Sequence, residues 1–131
     1  MGALRILVAD DNDSIRTVLR EILQSEDNWE VCGEAKNGEE AIRRARELSP
    51  DVILMDIMMP KRDGIAATRE IVRSAPETRV LIMTLYAFPE LYNEAKRVGA
   101  LGFVRKADSG RCLIPAVRCV AEHKTYFPNP N

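Results

Sequence analysis

The chain is poor in the residues that most often announce a function. With 3 cysteines and 1 histidine in 131 residues, it supports neither a disulfide framework nor a Cys/His zinc site. Cys112 and Cys119 stand seven apart on an expected helix, about 10.5 Å of rise against a disulfide Cα limit of about 7 Å, so reduced thiols are expected. The longest uncharged apolar stretch, Val80 to Phe88, falls far below the roughly 18 residues of a membrane span. No signal-peptide pattern precedes Arg5. The first apolar run leads into no glycine-rich turn, which removes the main support for a dinucleotide site or a phosphate-cradling loop. A formal charge of −1 offers no concentrated basic face for DNA, and Arg43, Arg44 and Arg46 read as a solvated helix face.

What is present suits one domain, because 46% apolar content fills a single core at this length. Apolar runs of strand type alternate five times with segments of helical period, the pattern of a doubly wound α/β domain. In the first helix, Asp13 or Ser14 is the expected cap, and Ile15, Val18, Leu19, Ile22 and Leu23 should bury one stripe. The second follows Asn37-Gly38, with Glu39 and Glu40 early and the arginines late, as the helix dipole favours. A third is expected from about Gly64 to Ser74, carrying Ile65, Thr68 and Val72 on one face. The fourth, about Pro89 to Val98, offers only Leu91, Ala95 and Val98 for burial and should be the least firmly held. Phe88 and Tyr92 are assigned to packing under it, or second to a partner-binding patch. The last begins near Ser109-Gly110 and carries Leu113, Val117, Val120 and Ala121. The proline- and asparagine-rich end reads as linker, which divides the chain into a domain over 1–124 and a tail over 125–131.

Polar residues stand at or just past the right-hand end of four apolar runs: Asp10 with Asp11, Asp56, Thr84 and Lys106. If the strands are parallel, these ends open on one side. Two carboxylates about 4 Å apart repel by roughly 4 kcal/mol at an effective dielectric near 20, so three together require a cation. Oxygen ligands suit Mg²⁺, with Asp11 and Asp56 as direct ligands and Asp10 acting through water. With the metal bound, Asp56 is placed to act as a nucleophile on phosphorus. Lys106 supplies a movable point charge for a phosphoryl oxygen and Thr84 a rotatable hydroxyl.

The constellation resembles the receiver domain of two-component response regulators. The resemblance spans about Arg5 to His123 and rests on Asp10-Asp11, the stretch Leu54-Met55-Asp56-Ile57-Met58-Met59-Pro60 with Gly64, Thr84, and Phe103 with Lys106. It implies a flavodoxin-like (βα)5 fold with a five-stranded parallel sheet in order 2-1-3-4-5. It also implies Asp56 as phosphoacceptor, Asp10, Asp11 and the Met58 carbonyl as further Mg²⁺ ligands, and Thr84 and Lys106 as phosphate sensors. Similar proteins switch when the hydroxyl at the Thr84 position moves toward the phosphoryl group and the aromatic at the Phe103 position turns inward. Phenylalanine has no hydroxyl to place in or out of water, so here the switch would be a packing event, or Phe103 is simply core.

The implied partners are a sensor histidine kinase or phosphotransfer protein, with a homodimer on phosphorylation, in the cytoplasm and away from membranes. The stretch from Ala116 to Phe127 is most similar to the NarL/FixJ class, so transcriptional output through a DNA-binding helix-turn-helix domain, absent here, is expected ahead of a stand-alone receiver. No enzyme is implied beyond self-catalysed phosphorylation and dephosphorylation. A haloacid-dehalogenase-type phosphatase needs a second acid two residues after the nucleophile, where this chain has Met58. A phosphorylation-independent interaction module and a nucleotide-binding flavodoxin-like protein are the remaining rivals, and the intact set of polar residues argues against both. Leu85, Met58 and Tyr86 form an uncharged rim that should slow water's access and lengthen the life of the phosphorylated state.

Overall fold

In a computed structural model, which describes residues 2–85 and 88–128, five strands alternate with five helices. Their order is β1 (Leu4–Ala9), α1 (Asp13–Gln24), β2 (Trp29–Ala35), α2 (Gly38–Leu48), β3 (Val52–Met55), α3 (Gly64–Ser74), β4 (Arg79–Thr84), α4 (Pro89–Arg97), β5 (Gly102–Arg105) and α5 (Ser109–Ala121), the last preceded by a 3₁₀ turn over Lys106–Asp108. All neighbouring strands pair in parallel and the sheet order is β2-β1-β3-β4-β5. The doubly wound topology and strand order expected from the sequence are therefore present.

Strand residues alternate between two apolar layers, as the period of two requires. Leu7, Ile53 and Ile82 pack with Ala41, Ile42 and Ala45 of α2, Ala67 and Ile71 of α3, and Tyr92 and Ala95 of α4. Ile6, Val8, Leu54 and Leu81 face Leu19 and Leu23 of α1 and Leu113, Ala116, Val117 and Val120 of α5. Because both faces are covered, β3 is buried at all four positions, which is why it reads as a continuous apolar run.

Three local expectations change, and the tail is seen in contact with the domain. The cap of α1 is Asn12, not Asp13 or Ser14; its side chain accepts from the Ile15 amide at 2.9 Å. Val18 is 53% exposed, and the charged Arg16 is buried instead. Tyr92 is buried beneath α4, whereas Phe88 is 57% exposed. Residues 125–128 lie against the domain: Tyr126 bridges Gly102 in parallel, and Phe127 packs on the layer that holds Tyr92 and Phe103.

Candidate functional site

Parallel register brings the polar residues together. Ala9 pairs with Met55 and Thr84 with Arg105, so Asp10, Asp56 and Lys106 each follow a strand at the same edge, and Thr84 ends β4 there. Asp10 is 1% exposed, Asp56 5% and Thr84 0%, whereas Asp11 is open to solvent. Lys106 Nζ lies 2.7 Å from Asp10 Oδ2 and 3.2 Å from Asp56 Oδ2. Asp10 Oδ1 accepts from the Asn12 amide at 2.9 Å. Asp10 Oδ2, though paired in charge with Lys106, receives no well-directed hydrogen bond.

Burial, followed by the neighbouring charge of Asp10, pushes the Asp56 carboxyl up to about 6, against the opposing pull of Lys106. Burial alone would lower the Lys106 ammonium, but its close pairing with the Asp10 carboxylate and the charge of Asp56 outweigh this and raise it. One ammonium thus balances two nearly buried acids. Acidic oxygens of Asp10, Asp11 and Asp56 lie within 4.8 Å of one another, and in the same cluster Asp10 Oδ2 is a buried oxygen short of a hydrogen-bond donor. This all-oxygen set suits a hard divalent cation such as Mg²⁺. The surrounding cleft is about 280 Å³, with Asn12, Ile15, Met58 and Leu85 around the four charged residues. Met58 and Leu85 are 59% and 64% exposed, so the apolar rim expected from these two residues is present. Its third member, Tyr86, lies outside the described residues.

The loop that follows Asp56 is held from two sides. Lys61 and Arg62 both take positive φ, 51° and 82°, an uncommon conformation for side-chain-bearing residues. The Gly38 and Glu39 amides of α2 donate to the Pro60 and Lys61 carbonyls at 3.5 and 3.1 Å. At the start of α3, the Gly64 amide donates to the Ile57 carbonyl at 2.9 Å, and a Cβ on Gly64 would fall 1.9 Å from the Asp56 carbonyl oxygen. Only glycine allows that approach.

Arg16 is the functional neighbour that sequence reasoning missed. Its Nη1 donates to the Asp10 carbonyl at 2.7 Å, its Nε to Glu34 at 2.7 Å, and its Nη2 to Asp13. Arg20 also donates to Glu34. The Arg20 hydrogen bond, joined by that of Arg16 and opposed by burial, holds the Glu34 carboxyl below its usual range. The end of β1 is thereby tied to both α1 and β2. The available signal was Asp13 three residues before Arg16, an i, i+3 pair.

The expected switch residue Phe103 is 2% exposed. Its ring meets Tyr92 edge-on at 5.4 Å, so it already points inward.

Comparison with known proteins agrees with this geometry. A family model described as the response regulator receiver domain matches residues 6–118. The response regulator GacA of Pseudomonas viridiflava is 37% identical over 124 residues, which span 95% of this chain and 58% of that protein. The oxygen regulatory protein NreC of Staphylococcus carnosus is 39% identical over 125 residues, again 95% of this chain and 58% of that protein. The chain therefore spans little more than half the length of these curated relatives. Among solved structures, a LuxR-family two-component response regulator from an Aurantimonas species superimposes with a TM-score of 0.92 at 30% identity, covering 97% of this chain and 91% of that one. The signal receiver domain of a NarL response regulator from Mycobacterium tuberculosis gives 0.88 at 30% identity, covering 95% and 100%.

Proposed function

Since this chain belongs to the receiver-domain family of two-component response regulators, we propose that Asp56 is its phosphoacceptor and that the acyl phosphate formed there is its signal. The observation that carries this reading is the nearly buried Asp56 carboxylate at the end of β3, 3.2 Å from Lys106 Nζ, with oxygens of Asp10 and Asp11 within 4.8 Å.

The donor is a phosphohistidine on a sensor kinase or phosphotransfer protein, or a small acyl phosphate. An ionised Asp56 oxygen attacks phosphorus, the bond from phosphorus to the donor atom breaks, and its electron pair leaves with the donor; an imidazole donor then takes up a proton. Asp10, Asp11, Asp56 and the Met58 carbonyl would hold Mg²⁺, which when bound neutralises charge on the incoming phosphoryl group. Lys106 moves from pairing carboxylates to pairing a phosphoryl oxygen, and the Thr84 hydroxyl donates to another. Because a protonated carboxyl is a poor nucleophile and burial favours the protonated form of Asp56, a bound cation that favours the carboxylate would also prepare the nucleophile.

The domain is assigned to residues 1–124 and the start of a linker or tail to 125–131. Relatives named as transcriptional regulatory proteins, such as LnrK of Bacillus subtilis, support a cytoplasmic transcriptional output through a DNA-binding domain elsewhere in a longer protein, with a phosphorylated homodimer as the active form. Among the described residues no helix is long and apolar enough to cross a membrane.

The test is incubation with Mg²⁺ and acetyl phosphate followed by intact mass. One added phosphoryl group that requires Mg²⁺ and is lost in Asp56→Asn is expected. An unmodified mass with acetyl phosphate and with a cognate kinase would overturn the reading in favour of a phosphorylation-independent interaction module.

A further inference from the structure

The segment beyond α5 is bound to the same ring pair that lies behind the site. The Tyr126 amide donates to the Leu101 carbonyl at 2.8 Å, and the Phe103 amide donates to the Tyr126 carbonyl at 2.9 Å. These bonds place Tyr126 alongside Gly102 on the outer edge of β5. A Cβ on Gly102 would lie 2.7 Å from Leu81 Cδ1 and 3.2 Å from the Tyr126 carbonyl oxygen, so glycine permits the approach. Cys119 Sγ of α5 donates to the Thr125 carbonyl at 3.2 Å. On the α4 side the Tyr92 hydroxyl donates to the Phe127 carbonyl. The Tyr92 ring meets both Phe103 and Phe127 edge-on at 5.4 Å. Lys96 Nζ sits 4.7 Å from the Tyr92 ring centre and 5.1 Å from that of Phe127.

We propose that residues 124–128 are a releasable strap, docked on β5 and Tyr92 while Asp56 is unmodified and let go when Asp56 carries a phosphoryl group. The proposal rests on the reading of Asp56 as phosphoacceptor. Phe103 is already inside, so an inward turn of that ring leaves nothing to signal; what holds the ring is Tyr92, and what holds Tyr92 on its other side is the strap. The two sides of the site lead there by short paths. Thr84 ends β4 five residues before Pro89 opens α4, and Lys106 directly follows β5, so drawing Thr84 and Lys106 onto phosphoryl oxygens shifts both surfaces that the strap bridges. A hydroxyl-to-carbonyl bond and an edge-on ring contact tolerate little relative displacement. The strap itself is weakly held: Lys124, Thr125 and Pro128 are exposed, Tyr126 and Phe127 only half-buried, and such segments open at low free-energy cost. Release would uncover the β5 edge and free whatever chain follows residue 128, coupling phosphorylation to output.

The Tyr126 and Phe103 amides report the strap directly. Hydrogen exchange at both is measured on this chain with Mg²⁺, with and without beryllofluoride as a stable phosphoryl mimic, and loading is followed by fluorine NMR. Exchange at both amides should quicken at least about tenfold in the loaded chain. By reciprocity of linked equilibria, Phe127→Ala should bind beryllofluoride severalfold more tightly, and Tyr92→Phe, which removes only the hydroxyl bond, should shift affinity the same way by less. A fully loaded chain with unchanged protection at both amides overturns the strap and leaves Asp56 as phosphoacceptor. A chain that takes up neither beryllofluoride nor a phosphoryl group fails the Asp56 reading, and the strap falls with it.

Discussion

The two ends of the parallel sheet solve the same problem in opposite ways. At the amino end, most polar groups find a partner within the protein, Arg79 Nε being the exception among the described residues. Asp51 accepts from the Arg5 amide at 2.8 Å, the Arg5 guanidinium donates to the Leu48 carbonyl at 2.5 Å, the Thr78 hydroxyl to the Pro50 carbonyl at 3.0 Å, and Arg79 to the Ala121 carbonyl at 2.5 Å. At the carboxyl end, one lysine is shared by two nearly buried acids, and Asp10 Oδ2 lacks a well-directed donor. A fold could close both ends like the first. Leaving one end short of positive charge costs stability there and leaves carboxylate oxygens facing a cleft where a cation would be favoured.

The largest effect is expected where the frustrated end is braced. Arg16 is 5% exposed and ties the Asp10 carbonyl to Glu34 and Asp13. In Arg16→Met that carbonyl and Glu34 lose a charged donor, and breaking such a buried ionic network costs about 3 to 5 kcal/mol. Urea denaturation at neutral pH measures it; a loss below about 1 kcal/mol, the range of exposed pairs, would mean that Arg20 alone suffices for Glu34.

Next comes the cost of the unmatched acid. The Asp56 carboxyl moves from 3.8 to about 6 on folding, so between these values the folded state binds more protons than the unfolded chain. Its contribution to stability is therefore present below about pH 4 and lost as pH rises through about 6, a difference of about 3 kcal/mol. Without divalent metal, Asp56→Asn should then be more stable than the parent at pH 7.5 by up to about 3 kcal/mol, with the gain vanishing near pH 4. Equal stability of the two proteins across that range would show that Lys106 neutralises the site fully.

The matched end should respond in the ordinary way. Thr78→Val removes the donor to the Pro50 carbonyl in a buried setting and should cost about 1 to 2 kcal/mol. That loss should be the same with and without Mg²⁺, because Thr78 lies at the other end of the strands. A Mg²⁺-dependent loss would mean the two ends are coupled through the sheet.

These contrasts also mark what could be read in the sequence. The strands were legible because a sheet covered on both faces leaves unbroken apolar runs, and the site because its chemistry follows those runs directly. Asn12 was missed as the α1 cap because Asn12, Asp13 and Ser14 are consecutive residues of capping type, and only the geometry chooses among them. Arg16 was hidden for a different reason: an arginine in a helix reads as solvent-facing unless its partner is known, and Glu34 is 18 residues away on β2. Gly38 was read as part of the turn before the second helix, and its role in bracing the Asp56 loop depends on the Pro60 carbonyl. The tail was read from its prolines and asparagines, while Tyr126 and Phe127 between them carry the contacts.

The smallest stability effect belongs to the rim. Leu85 is 64% exposed, so Leu85→Ala should change stability by no more than about 0.5 kcal/mol. Its effect should instead be kinetic. Hydrolysis of an acyl phosphate on Asp56 requires a water at phosphorus, and Leu85 and Met58 line the cleft through which it comes. Shortening Leu85 opens that path without touching Asp56, Lys106 or the acids, so the phosphorylated state should decay faster while its formation from acetyl phosphate at saturating Mg²⁺ is no slower. The decay is followed by intact mass after removal of the phosphodonor. A rapid decay in the parent, unchanged in Leu85→Ala, would sink the idea that the rim excludes water and would place control of lifetime on the polar groups beneath it.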